Sequence, residues 1–171
     1  KYGYYKISQS PKFKKNKIAH LKNKLNIKGK YIIIHIRNHL YDNYDDVRRD
    51  IRSIDNLESY EGLITYLQKE YKIVLIGNKK DKFYQRFNNK NLINYSSSSY
   101  QSVENDFYLI SNCEFFIGNF SGPSAIAVGL NKPVMIFDCQ PLFVLWDYNK
   151  VRYFPKYVYK KKKLISIYEI I

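Results

Sequence analysis

Residues 114–128 read EFFIGNFSGPSAIAV. Phe115 to Ile117 is a short apolar run with strand preference, closed by Gly118 and Asn119. Ser121, Gly122, Pro123 and Ser124 then open a run of small apolar residues that predicts a helix. Pro123 stands in the first turn, where its missing N–H removes no hydrogen bond. A strand that runs through a Gly-Ser turn straight into a helix is one step of an α/β domain, if the step recurs.

It does recur on both sides. Upstream, Tyr31 to Ile36 (YIIIHI) is a continuous β-branched run, which predicts a strand buried on both faces. Ile73 to Ile76 (IVLI) predicts a second strand, closed by Gly77 and Asn78, and Leu92 to Tyr95 (LINY) a weaker third. Downstream, Val134 to Phe137 (VMIF) predicts the strand after the small-residue helix. Helices are predicted between them. A basic one spans about 12–25, with Ile18, Leu21 and Leu25 on one side and Gly29 breaking the pattern. One over 57–70 carries Leu57, Tyr60, Leu63, Ile64 and Leu67 at helical spacing. A short polar one is expected near 80–87. Another follows Ser102 as N-cap, with Glu104 and Asp106 favouring its dipole and Val103, Phe107 and Ile110 facing the core. The segment 37–56 is charged, aperiodic and reads as a long loop. After Asp138 the chain reads as irregular and aromatic, ending in a short helix, SIYEII. Alternating elements with continuous apolar strands predict a doubly wound, Rossmann-like α/β domain with a parallel sheet covered on both sides.

The chain has 171 residues, 45% of them hydrophobic, enough for one good core. No run of 18 apolar residues predicts a spanning helix. The first residue is Lys1, not Met, so the chain is expected to be a fragment or a C-terminal half. Residues 1–27 are expected to form a basic helix or linker ending an upstream domain, and 28–171 the α/β domain. Cys113 and Cys139 stand apart, without a CxxC or Cys/His cluster, and are expected as buried free thiols with no metal. The net charge of +14 is concentrated at the ends: residues 1–30 hold ten Lys and no acid, and 160–163 are KKKK. Lys outnumbers Arg 23 to 6, and the centre of the chain is nearly neutral. That pattern argues against nucleic-acid recognition, which favours Arg and aromatics on one face. It leaves an anionic membrane surface as a partner for the ends.

In a doubly wound domain ligands bind beyond the carboxyl ends of the strands. The residues placed there are His35, Arg37 and Asn38, then Gly77 and Asn78, Ser96 to Ser99, Gly118 to Ser124, and Asp138. Gly118 and Gly122 would let a ligand approach the backbone. The helix after them offers unpaired amides and a positive dipole end, and Ser121 and Ser124 add hydroxyls. Together these suit a diphosphate. Arg37, on the same face as His35 by strand alternation, adds a charge fork. The plainer alternatives are a turn that uses Gly and Ser for its own geometry, and a core histidine bonded to backbone. Neither GxGxxG nor GK[ST] is present, so neither a dinucleotide fold nor a P-loop ATPase is supported.

HIR at 35–37, Arg52-Ser53-Ile54-Asp55 in the long loop, IVLIGN at 73–78, the run from Ser98 to Asp138 and YFPKYVYKKKKLISIYEII at the end are similar, in this order, to a family of predicted bacterial glycosyltransferases. That family is found mostly among surface-polysaccharide genes and resembles the C-terminal half of GT-B enzymes of the fucosyltransferase type. The resemblance covers about 28–171, and 98–138 is its most specific part. It implies a donor-binding domain that transfers sugar from a nucleotide-diphospho-sugar to a saccharide or glycolipid acceptor. It points to Arg37 on the donor's β-phosphate, with His35 and Asp55 as further catalytic candidates. Gly77, Asn78, Gly118, Asn119, Ser121, Gly122 and Ser124 are the donor-binding candidates. Asn78 stands where the family has Asp, which weakens any role for a carboxylate there. No cofactor and no metal are expected, and the clustered Asp42, Asp45 and Asp46 are read as solvated loop charge. The enzyme is expected in the cytoplasm, touching the inner membrane face through its basic ends. Two alternatives remain from the residues: a UDP-sugar 2-epimerase-like enzyme, and a non-catalytic basic module for anionic polymers or lipid.

Overall fold

The structure, a computed structural model, describes residues 15–37, 57–77, 90–139, 149–157 and 159–164. The long loop at 38–56, the polar helix expected at 80–87 and the final SIYEII lie outside the described residues. So do Asn38, Asp42, Asp45, Asp46, Arg52, Asp55 and Asn78.

The elements follow one another as α1 (Lys15–Lys24), β1 (Tyr31–His35), a 3-10 turn (Leu57–Tyr60) leading into α2 (Glu61–Leu67), β2 (Lys72–Leu75), β3 (Leu92–Asn94), α3 (Val103–Asn112), β4 (Phe116–Gly118), α4 (Gly122–Gly129), β5 (Val134–Cys139) and β6 (Val151–Pro155). A small antiparallel pair, β7 (Tyr159–Lys160) and β8 (Lys163–Leu164), ends the described chain. The main sheet has six strands in the order β3-β2-β1-β4-β5-β6, all pairs parallel. This is the doubly wound order that starts in the middle and winds outward both ways.

The apolar strands are continuous because both sheet faces are covered. Along β1, Tyr31 and Ile33 join a core with Val74, Phe116, Val134 and Ile136 under the buried side chains of α1, α3 and α4. Ile32 and Ile34 point the other way, into a core with Ile73, Leu75, Ile117, Tyr60 and Ile64. Each fully buried isoleucine contributes about 1.5–3 kcal/mol by removal from water. Ile18, Leu21 and Ile27 bring the α1 region into the first core, and Lys17 Nζ reaches Glu104 on α3 at 2.5 Å.

The helix ends follow from local chemistry. α1 ends at Lys24, close to the expected 25: Asn26 takes a left-handed φ of 52°, and the Asn26 and Ile27 amides bond back to the Asn23 and Lys22 carbonyls. Asn131, at φ 60°, closes α4 the same way through Val128 and Ala127. Both are Schellman motifs with Asn in the usual glycine place. Ser102 caps α3 as expected, its side chain accepting from the Asn105 amide.

Two expectations are corrected. Val103 does not face the core; it is 73% exposed, while Tyr108, Leu109 and Ile110 are buried. It shares an angular face with Ile110 but lies seven residues earlier, about 10 Å along the axis, in the exposed first turn of α3. The segment after Asp138 is not wholly irregular: Val151–Pro155 adds β6 beside β5. As an edge strand it tolerates Arg152 and a terminal proline, and Phe154 stacks on Phe137 at 4.5 Å between ring centroids. The lysine run forms the tip of the β7-β8 hairpin, with Lys161 and Lys162 both at positive φ. Among the described residues, no helix is long and apolar enough to cross a membrane.

Candidate functional site

The strand order reverses between β1 and β4, so the crevice of the sheet opens where these two strands end. His35, the last residue of β1, is in register with Gly118, the last of β4. A cleft of about 350 Å³ lies there, on the side covered by α3 and α4. His35 and Arg37 form its β1 wall, Ile76 and Gly77 the exit of β2, and Ser121, Gly122 and Pro123 the start of α4. Asp106 reaches it from the first turns of α3. The topology thus brings together His35, Arg37, Gly77, Ser121 and Gly122, which are distant in sequence.

The start of α4 is built as a capping box. The Ser121 side chain accepts from the Ser124 amide while the Ser124 hydroxyl accepts from the Ser121 amide, at 3.4 and 2.9 Å. Two first-turn donors are satisfied internally. Ser124 is fully buried, so its hydroxyl serves the helix. Gly122 differs: a Cβ added there would meet nothing within 4 Å, and the residue lines the cleft. It leaves the positive end of the α4 dipole open to an anion.

Gly118 is required for another reason. A Cβ at Gly118 would lie 2.5 Å from the His35 carbonyl oxygen and 2.9 Å from a ring carbon of Phe116. Its missing side chain lets β4 pass close to the end of β1. Close approach of backbone, rather than of ligand, accounts for this glycine.

His35 is 5% exposed, and its Nδ1 lies 3.2 Å from Ser121 Oγ. Burial, reinforced by the nearby Arg37 cation, lowers its pKa to about 4. The imidazole is therefore neutral at pH 7, and Ser121 can donate to Nδ1 of the tautomer that carries its proton on Nε2. Positive charge at the β1 end of the cleft comes from Arg37.

Asp106 is the residue that sequence reasoning assigned only to the helix dipole. It is half-buried, and its Oδ1 is sealed from solvent without a hydrogen-bond partner among the described residues. Burial raises its pKa to about 6, against the opposing pull of the Tyr95 hydroxyl. The cleft thus pairs a fixed cation with a carboxyl group that titrates near neutrality.

Behind the cleft, Asn119 is 1% exposed. Its Oδ1 accepts from the Arg37 amide at 3.0 Å, and its Nδ2 donates to the Phe137 carbonyl at 2.9 Å. Tyr60 Oη lies 3.5 Å from the same Nδ2, and donates to the Asp138 carboxylate. Asp138 sits at a φ of 47°, where the pairing of β5 with β6 shifts register.

No family model matches the sequence, and neither does any curated protein. Solved structures do match. E. coli ADP-heptose lps heptosyltransferase II superposes with a TM-score of 0.60 over 88% of this chain and 45% of that one, at 15% identity. E. coli heptosyltransferase WaaC with ADP-2-deoxy-2-fluoro heptose superposes with a TM-score of 0.50 over 80% and 40%, at 13% identity. Both are glycosyltransferases of the GT-B fold. At these identities the likeness establishes the fold: a Rossmann-like domain of the kind that GT-B glycosyltransferases contain. The chain spans less than half the length of either neighbour. Neither neighbour is of the fucosyltransferase type, so that part of the resemblance rests on the sequence motifs.

Proposed function

We propose that this chain is the donor-binding domain of a glycosyltransferase that uses a nucleotide-diphospho-sugar. The carrying observation is the convergence of Arg37 and the start of α4 on one cleft at the β1/β4 reversal. The fold shared with two ADP-heptose-related transferases supports it.

In this reading the diphosphate lies between the Arg37 guanidinium and the start of α4, where the capping box takes the Ser121 and Ser124 amides and Pro123 has none, so that the Gly122 N–H and the helix dipole face it. As the sugar departs, negative charge builds on the leaving diphosphate. A preorganised cation and helix dipole stabilise that charge without reorganising, which is where such a site contributes most. Ser121, whose hydroxyl meets Nδ1, holds the neutral His35 imidazole in the cleft wall. Asp106 offers an acceptor to a hydroxyl or N–H of the ligand. Among the described residues Asp106 is the one carboxylate lining the cleft, whereas an epimerase-like reaction calls for an acid and a base there. The acceptor is a saccharide or glycolipid, in keeping with the surface-polysaccharide resemblance.

The test is a thermal-shift panel of GDP, UDP, ADP and CMP, with and without Mg²⁺. A ligand at about 100 times its Kd stabilises the folded state by about 2.7 kcal/mol. A shift with one nucleoside diphosphate, unchanged by chelator, supports the reading and names the donor class. Strongly salt-dependent DNA binding with no nucleotide shift would favour the basic-module alternative.

A further inference from the structure

We propose that Asn119 is a positioning residue rather than a ligand contact, and that with Tyr60 and Asp138 it clamps the Arg37 peptide so that the guanidinium stays in the cleft. This rests on the reading of the cleft as a diphosphate site.

Three strand ends meet at this one buried amide. Asn119 leaves β4, Arg37 follows β1, and Phe137 belongs to β5. The side chain faces an N–H on one side, that of Arg37 at 3.0 Å, and a C=O on the other, that of Phe137 at 2.9 Å. Those two partners dictate the amide's orientation, oxygen toward Arg37 and nitrogen toward Phe137. Among side chains of this size only Asn supplies an acceptor and a donor in this arrangement. Aspartate would set an acceptor against the Phe137 carbonyl, and leucine would leave two backbone groups without their partner.

A second layer fixes the amide itself. Tyr60, buried at the start of α2, brings its hydroxyl beside Asn119 Nδ2 and donates to Asp138. Asp138 reaches Tyr60 from a left-handed conformation at a register shift, a backbone state unusual for a residue other than glycine and concentrated at functional sites. The Tyr60 ring is held edge-on by Phe137. Asn119 does not line the cleft, and at 1% exposure its amide is spent on backbone groups. Arg37 does line it, and carries a long side chain whose aim depends on the peptide from which it springs. Small displacements of a charge-bearing group lose a large part of its binding contribution.

Three variants of the full chain are compared: Asn119→Ala, Tyr60→Phe, and Ile73→Val as a core change at the amino end of β2. Amide hydrogen exchange is read at Arg37, and inorganic pyrophosphate affinity by titration calorimetry. The clamp predicts that Arg37 N–H exchange accelerates in Asn119→Ala. It also predicts pyrophosphate binding weakened roughly tenfold or more in Asn119→Ala and less in Tyr60→Phe. Ile73→Val lowers Tm and leaves the affinity unchanged. Wild-type affinity in both clamp variants, or unaltered Arg37 exchange in Asn119→Ala, would overturn the proposal. A wild-type chain that binds no pyrophosphate would overturn the anion-site reading and the positioning role with it. The exchange measurement then decides separately whether the clamp itself holds.

Discussion

Ser121 Oγ stands 3.2 Å from Nδ1 of His35, joining the end of β1 to the cap of α4 across the point where the strand order reverses. This contact keeps a buried, neutral histidine beside an arginine and ties the helix cap to the strand that carries Arg37. It makes the cleft sensitive to acid. The His35 pKa is lowered to about 4 from an ordinary 6.5, so between these values the unfolded chain binds a proton that the folded chain does not. This contribution to stability is intact above pH 6.5 and is lost as pH falls toward 4, by up to about 3 kcal/mol at 1.36 kcal/mol per unit. His35→Gln should flatten that part of a Tm-against-pH curve. An unchanged slope would exclude His35 as its source.

The two glycines that flank the loop should respond oppositely. Gly118→Ala forces a methyl to within 2.5 Å of the His35 carbonyl and should cost about 1–3 kcal/mol or more in urea unfolding. Gly122→Ala meets no atom and should keep or slightly raise stability. It should nonetheless weaken nucleoside-diphosphate binding, because the methyl enters the approach to the Gly122 N–H at the start of α4. Equal stability losses at both positions would contradict this division.

Asp106 titrates in the direction opposite to His35. Its raised pKa, about 6, means that the folded chain holds a proton the unfolded chain has released. The associated stability is present below about pH 4 and lost as pH rises through 6. Asp106→Asn should therefore raise Tm at pH 7.5 and leave it unchanged at pH 3.5. A Tm gain of equal size at both values would mean that burial of the carboxylate is not the cause.

Cys113 and Cys139 are both free and buried. Burial pushes the Cys113 thiol up to about 12, and raises that of Cys139 as well. Native protein at pH 8 should react with an aromatic disulfide far more slowly than protein in guanidinium, where both thiols titrate. Fast reaction of either thiol in the native state would show that its cover opens readily.

The α/β class was legible because YIIIHI, IVLI and VMIF are too apolar for anything but doubly covered strands, and because a Gly-Ser turn led one of them into a helix. Strand order was not legible, since periodicity carries no information about neighbours. The β1/β4 reversal, which singles out one crevice among several strand ends, came from the structure. β6 was hidden by Arg152 and Pro155, and the β7-β8 hairpin by a turn made of two lysines in place of Asn and Gly. Arg37, His35 and Ser121 could be nominated from strand alternation and helix-start chemistry. Asp106 could not, because whether a first-turn acid faces solvent or a cleft depends on where α3 lies. Gly118 and Asn119 were visible as special residues, yet their contacts with β1 and β5 needed the register.

Calorimetric titration of wild type, Arg37→Lys and Arg37→Ala decides whether Arg37 and the α4 start form one diphosphate site. The titrant is the nucleoside diphosphate that gives the largest thermal shift, and Tm is recorded for each protein. Loss of the guanidinium fork should abolish measurable binding in Arg37→Ala and weaken it strongly in Arg37→Lys, because an ammonium cannot make the bidentate contact. All three proteins should melt cooperatively. Binding in Arg37→Ala at wild-type affinity would show that Arg37 does not hold the diphosphate.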